Sequence, residues 1–195
     1  MNIGLYFGSF NPIHNGHLII ANEIAYEIKL DQVWFIVSPQ NPDKKNHTLL
    51  NEWNRLNLVQ LAIEGNPKLF AKNIEFKLPR PSYTSNTLAY LVENYKNYTF
   101  SIIMGSDGFS NLISWHNYKY LIEGFEFIIY EREGFPITNS LGAKIKILKS
   151  PLLNVSATLI RNKIKRGLPI DYWVPEVIAE EIKNQGYYKS RVENP

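Results

Sequence analysis

The 195-residue chain contains no cysteine. That excludes a disulfide framework and a thiolate zinc site, and it suits a reducing compartment. There is no GxxxxGK[ST] segment, and no GxGxxG follows the first apolar run, so neither a P-loop kinase nor a dinucleotide dehydrogenase fits. No apolar run approaches the roughly 18 residues needed to cross a bilayer, and the start of the chain lacks the basic and apolar stretches of a leader. A cytoplasmic protein without a membrane partner is expected. HExxH is absent, and His47 and His116 lie in segments far from His14 and His17, so no metal site is expected. The net charge is only +3, and the basic cluster of Lys163, Lys165 and Arg166 is short. Such a cluster reads as a solvated helix face, and basic residues interleaved with an aromatic sheet motif are missing, so no nucleic-acid partner is expected.

What is present is a globular composition, 45% hydrophobic and 20% charged, with no low-complexity tract apart from a polar tail at 189–195. Such a length suits one domain with one sizeable core. The reading is a single domain over 1–188, its last part, 155–188, being helical. Ile3, Leu5 and Phe7 alternate with Gly4 and Tyr6 before Gly8 and predict a first strand. Ala21, Ile24, Ala25 and Ile28 recur at helical spacing and predict a helix over about 17–29. VWFIVS, 33–38, predicts a second, buried strand, and Pro39 and Pro42 force the next loop out of regular structure. The alternation goes on with helices over about 51–64 and 84–95, strands at 71–76, 99–104, 126–130 and 145–149, helical turns between 109 and 122, and helices over about 156–166 and 174–184. Strands alternating with helices imply right-handed crossovers and a doubly wound, mostly parallel α/β sheet of Rossmann-like type. Ligands of such sheets bind beyond the carboxyl ends of the strands.

GSFNPIHNGH, 8–17, lies at one of those ends and opens the first helix. A helix start offers unpaired N–H groups and the positive end of a dipole, which is a ready anion site. Gly8 permits close approach to the backbone, Pro12 fixes the turn, and Gly16 keeps bulk away from the helix entry. His14 and His17, three apart, fall on one side of the first turn, where two ring N–H groups suit adjacent oxygens of one phosphate. Capping and metal ligation are the other uses of such a pair.

This stretch resembles the (G)GxFxPxHxGH signature of the HxGH nucleotidyltransferase superfamily. In that superfamily the two histidines bind a triphosphate and stabilise its α-phosphate under attack. VSATLIR, 155–161, is similar to the same superfamily's late Ile/Val-Ser-(Ser/Ala)-Thr-x-Ile-Arg motif. Its own chemistry repeats the first device: Ser156 is a candidate N-cap, Gly167 a helix end, and Arg161 a bidentate cation.

Within the superfamily, residues 1–188 resemble the bacterial nicotinate-nucleotide adenylyltransferases. SPQNPDKK, 38–45, looks like their Pro-x-x-Pro-His-Lys loop, with Lys44 in the lysine position, Asn41 beside it, and Asp43 in place of the histidine. RPSYTSNTLAYL, 80–91, is similar to their Ser-Tyr-Thr-x-Asp-Thr-Leu segment, with Asn86 where an acidic residue is common and either one able to cap a helix. MGSDGFSNLISWHNYKYL, 104–121, resembles their Gly-x-Asp and Leu-x-x-Trp segments, and Arg132 matches an arginine after the fifth strand.

The resemblance implies transfer of the adenylyl group of ATP to nicotinate mononucleotide, a step of NAD biosynthesis; magnesium is expected to be carried by the ATP, since no carboxylate pair presents itself as a metal cage. The resemblance assigns His14, His17 and Arg161 to catalysis. ATP falls to these three with Gly8, Ser9, Phe10, Gly105, Asp107, Ser156 and Thr158. The acceptor falls to Asn41, Lys44, Tyr83, Thr84, Trp115 and Arg132. Phosphopantetheine adenylyltransferase or a cytidylyltransferase of the superfamily is the neighbouring alternative, and a non-catalytic nucleotide or RNA module a distant one. Oligomeric state is left open, a homo-oligomer included.

Overall fold

The structure, a computed structural model, describes residues 1–39, 49–148 and 154–189. Six strands form one sheet in the order β3-β2-β1-β4-β5-β6. They are β1 (Asn2–Gly8), β2 (Gln32–Val37), β3 (Leu69–Lys72), β4 (Thr99–Gly105), β5 (Glu126–Tyr130) and β6 (Lys144–Leu148), all paired in parallel. The helices are α1 (Asn15–Glu27), α2 (Glu52–Ala62), α3 (Thr84–Asn94), α4 (Ser106–Ser110), α5 (Tyr118–Gly124), α6 (Ala157–Lys165) and α7 (Glu176–Gln185). This is the doubly wound Rossmann-like arrangement, with its topological switch point between β1 and β4.

Period-two alternation splits the core into two layers. Val33 and Phe35 of β2 point to the layer that holds Ile24 of α1 and Val59 of α2, whereas Trp34 and Ile36 join Leu88 and Leu91 of α3 on the opposite face. Both faces are covered, which is why VWFIV has no polar residue. Ile160 of α6 and Ile178 and Ile182 of α7 are buried in the first layer, so the C-terminal helices complete the same core as α1. No helix among the described residues is long and apolar enough to cross a membrane.

Two expectations need correction. The strand placed at 71–76 ends at Lys72, and Ile74–Lys77 is a 3-10 turn. Its alternation misleads because Glu75, the polar member, is the buried one, at 1% exposure. The helical turns placed from 109 onward begin at Ser106, directly after β4.

Candidate active site

The loop after β1 is held tightly. Phe10 adopts a left-handed backbone conformation (φ 43°), unusual for a bulky residue, and its ring packs edge-on against Tyr6, His17 and Phe35. A Cβ on Gly16 would lie 3.1 Å from His14 Nδ1, so the glycine leaves room for that ring. His14 is the N-cap residue of α1 and its backbone N–H donates to His17 Nδ1 at 3.3 Å. Because Nδ1 accepts, the proton of a neutral His17 ring sits on Nε2, and this tautomer is inferred from the bond. The two rings stack at 3.6 Å between centroids and 20° between planes. The helix start is less open than expected: the Asn15 N–H already donates to the Trp173 carbonyl at 3.0 Å. An anion there depends correspondingly more on the two rings.

His14 is 4% exposed and its Nδ1 has no partner. Burial, helped by the positive charge of Arg132, lowers its pKa from 6.5 to about 4. The ring is therefore neutral at pH 7, and folding weakens when it must be charged. Its contribution is complete above pH 6.5, the unfolded value, and is lost as pH falls toward 4, amounting to about 3 kcal/mol. Urea unfolding at pH 7 and pH 4.5 checks this, with His14→Gln losing less stability than the wild type over the same interval.

The late motif meets this loop. Ser156 accepts from the Leu159 N–H at 3.2 Å and caps α6, as its sequence position predicts. Arg161 donates through Nη1 to the Asn11 carbonyl at 2.7 Å and through Nη2 to Thr158 Oγ1 at 3.2 Å. One guanidinium thus ties the two motifs together across 150 positions of sequence. Gly8, Ser9, Phe10, His14, His17, Ser156, Thr158 and Arg161 all line one cavity of about 510 Å³.

A larger cavity of about 900 Å³ opens over the carboxyl ends of β1 and β4, walled by Tyr83 and Thr84 at the start of α3, by Gly105 at the end of β4 and Asp107 after it, and by Trp115 and His116. The His116 ring stacks on Tyr83 (4.4 Å, 24°), with Nδ1 3.2 Å from Ser85 Oγ. Asn86 lies within the first turn of α3, where Tyr83 is the N-cap residue, so it does not cap. A third cavity of about 360 Å³ lies beside His14, His17 and Arg132. Tyr6, Asp107 and Tyr130 line all three cavities, which therefore meet at the switch point.

Arg132 is placed differently from its expected grouping. It lines the two cavities beside the histidines and not the large one, drawn there by Asp107 (Nε to Oδ1, 3.6 Å) and by the Tyr130 hydroxyl, to which Nη2 donates at 3.3 Å. Asp107 carries the opposite charge in the same place. A Cβ on Gly105 would collide with Asp107 Oδ1, so this glycine lets the carboxylate fold back. Asn41 and Lys44 lie outside the described residues.

Residues not singled out in the sequence also build the site. The buried Tyr6 hydroxyl donates to that of Tyr130 at 3.2 Å. Ser106 Oγ accepts from the Arg132 backbone N–H at 2.9 Å. Arg55, fully buried, donates to the carbonyls of Leu50, Ser9, Ser38 and Pro39.

Known proteins carry the same pattern. The cytidylyltransferase-like family model matches residues 5–163, a span that contains both motifs. The probable nicotinate-nucleotide adenylyltransferase of Flavobacterium psychrophilum is 46% identical over 192 residues, 97% of this chain and 100% of that one. The nicotinate-nucleotide adenylyltransferase of Bacillus subtilis is 32% identical over 188 residues, 96% of this chain and 98% of that one. Among solved structures, Plasmodium falciparum nicotinic acid mononucleotide adenylyltransferase complexed with NaAD matches with a TM-score of 0.82 at 25% identity, over 96% of this chain and 97% of that one. Likeness of this degree, from one end of the chain to the other and through both helix-opening motifs, makes the chain a member of the nicotinate-nucleotide adenylyltransferase family.

Proposed function

We propose that the site transfers the adenylyl group of ATP to nicotinate mononucleotide, giving the dinucleotide and pyrophosphate, and that its residues divide the work by position. The carrying observation is the convergence of two helix starts, α1 with its stacked histidines and α6 with its capped turn and Arg161, on one cavity that meets the large one at the switch point. Two such starts suit the two ends of a triphosphate.

The 5'-phosphate oxygen of the mononucleotide attacks the α-phosphorus, the bond to the bridging β-oxygen breaks, and pyrophosphate leaves with that electron pair. The nucleophile is already ionised, so no covalent residue or general base is required. The protein's contribution is alignment and charge stabilisation. His14 and His17 donate to the α-phosphoryl oxygens, while Arg161 and the Ser156 to Thr158 turn hold the departing phosphates. Asp107 receives ribose hydroxyls. Trp115, Tyr83 and Thr84 form the pyridine end of the large cavity, the charged ring being attracted to the indole face. Lys44 and Asn41 are assigned by resemblance to the incoming phosphate. Arg132, set beside His14 and Asp107, belongs with the nucleotide in this reading. Magnesium enters on the triphosphate; among the described residues no three His, Asp or Glu converge into a cage of their own. The cytoplasm, with its reducing conditions, is the setting this reading fits.

Pyrophosphate release is the test, run with ATP and each of nicotinate mononucleotide, nicotinamide mononucleotide and phosphopantetheine. Release with the first well above the other two is expected. Release with phosphopantetheine alone, or with none, overturns the reading.

A further inference from the structure

One group in the wall of the large cavity takes no part in the reaction as described. Glu75, in the 3-10 turn after β3, is 1% exposed and lines that cavity. Its Oε1 accepts from Thr87 Oγ1 of α3 at 2.9 Å, whereas Oε2 has no partner. Ser82 Oγ, in the same wall, has none either. The hydroxyls of Ser38, at the end of β2, and of Ser82 stand close enough to act on the carboxyl without closing a bond to Oε2.

We propose that Glu75 is a positioning residue for the acceptor: it ties the turn that opens α3 to the end of β2, and in its carboxylate form its charge weakens acceptor binding. The inference rests on the large cavity being the acceptor's. Oε2 can offer an O–H to Ser82 Oγ as the neutral acid or accept the Ser82 O–H as the carboxylate, so the two unpartnered atoms can pair in either state and the difference between the states is charge. The turn so held carries Tyr83 and Thr84, the residues assigned to the pyridine end. Ionisation sets a negative charge in the wall of a cavity that must receive a carboxylate and a phosphate.

The groups facing Glu75 are hydroxyls from three elements, Ser38 after β2, Ser82 in the connecting loop and Thr87 in α3. Asp107, His116 and the tyrosines Tyr6, Tyr83 and Tyr130 are the other titratable groups in the cavity wall, and among the described residues no basic side chain forms an ion pair with Glu75. Burial pushes its carboxyl above the usual range, outweighing the three hydroxyls, which favour the charged form. The neutral acid therefore persists to higher pH than an exposed glutamate, and the charge appears as pH rises through that raised value.

Acceptor KM and kcat, measured by pyrophosphate release from pH 5 to 9, read this out. In the wild type, KM for nicotinate mononucleotide should rise on the order of tenfold across the ionisation while kcat stays nearly level. Glu75→Gln, which keeps the shape and a donor without the charge, should flatten that rise. Thr87→Val, which removes a hydroxyl that favours the charged form, should move the rise to higher pH, and it serves as the second variant should Glu75→Gln fold poorly. The acceptor's own phosphate titration is common to all three proteins and cancels in their ratios. A Glu75→Gln profile parallel to the wild type's, or an unmoved profile in Thr87→Val, overturns the inference. A wild type that releases no pyrophosphate with this acceptor at any pH overturns the functional reading instead.

Discussion

Replacing His17 with alanine lowers kcat by on the order of 100-fold or more and leaves the KM for ATP within a few-fold of normal. The expectation follows from how the ring is held. Its Nδ1 accepts the His14 backbone N–H, which puts the donor on Nε2. Phe10 packs edge-on against it at 5.1 Å, Tyr6 does so at 6.0 Å, and His14 stacks on it at 3.6 Å. The ring thus has little freedom left to lose when charge builds on the α-phosphoryl group. A donor fixed before the reaction is worth most where charge is greatest, so the loss falls on turnover and less on ground-state binding. His17 is only half-buried, and its removal leaves the Tyr6–Phe10–Phe35 cluster in place, so the variant should fold. Steady-state pyrophosphate release with both substrates varied checks the split. Turnover near that of the wild type would show that His17 is a cap and no more.

The parts of this protein that were legible in its sequence are those whose physics is local. Continuous apolar runs such as VWFIV and EFIIY announced strands covered on both faces, and the structure has them as β2 and β5. GSFNPIHNGH and VSATLIR are legible as helix starts because turn residues and a capping serine mark them, and the structure has them opening α1 and α6. What the sequence concealed depends on partners far along the chain. Tyr6 and Tyr130 read as strand core, and only the pairing of β1 with β4 and β4 with β5 sets their hydroxyls 3.2 Å apart over the site. Glu75 broke the strand pattern because its burial is decided by α3 and not by its neighbours. The resemblance groups Arg132 with the acceptor, and in the structure the charge of Asp107, just past the end of β4, holds it beside the histidines.

Arg55 was the least legible of all, and its replacement has the second large effect. On a helix a lone arginine reads as solvent-facing, yet this one is 0% exposed. It donates through Nε to the Leu50 carbonyl at 2.8 Å, through Nη1 to those of Ser9 at 2.5 Å and Ser38 at 2.8 Å, and through Nη2 to that of Pro39 at 3.3 Å. Burial lowers its pKa to about 10, which still leaves it charged at pH 7. Four backbone acceptors in place of a carboxylate make the pairing directional: the side chain is a bracket between the first motif loop and both flanks of residues 40–48, the stretch that carries Lys44. Arg55→Ala leaves those carbonyls buried without donors and opens a cavity, at a cost of about 3–5 kcal/mol. For a chain of this size that lowers Tm by about 10–15 °C. Arg55→Lys should recover only part of the loss, since one ammonium cannot match the fork of a guanidinium. Because Ser9 borders both cavities and Ser38 the large one, the lysine variant should raise the KM for both substrates together, whereas changes at Arg161 or Trp115 should act on one. Thermal unfolding and a two-substrate kinetic series on Arg55→Lys test the bracket. An unchanged Tm in Arg55→Ala, or a rise confined to one KM in Arg55→Lys, would reduce the residue to ordinary core filling.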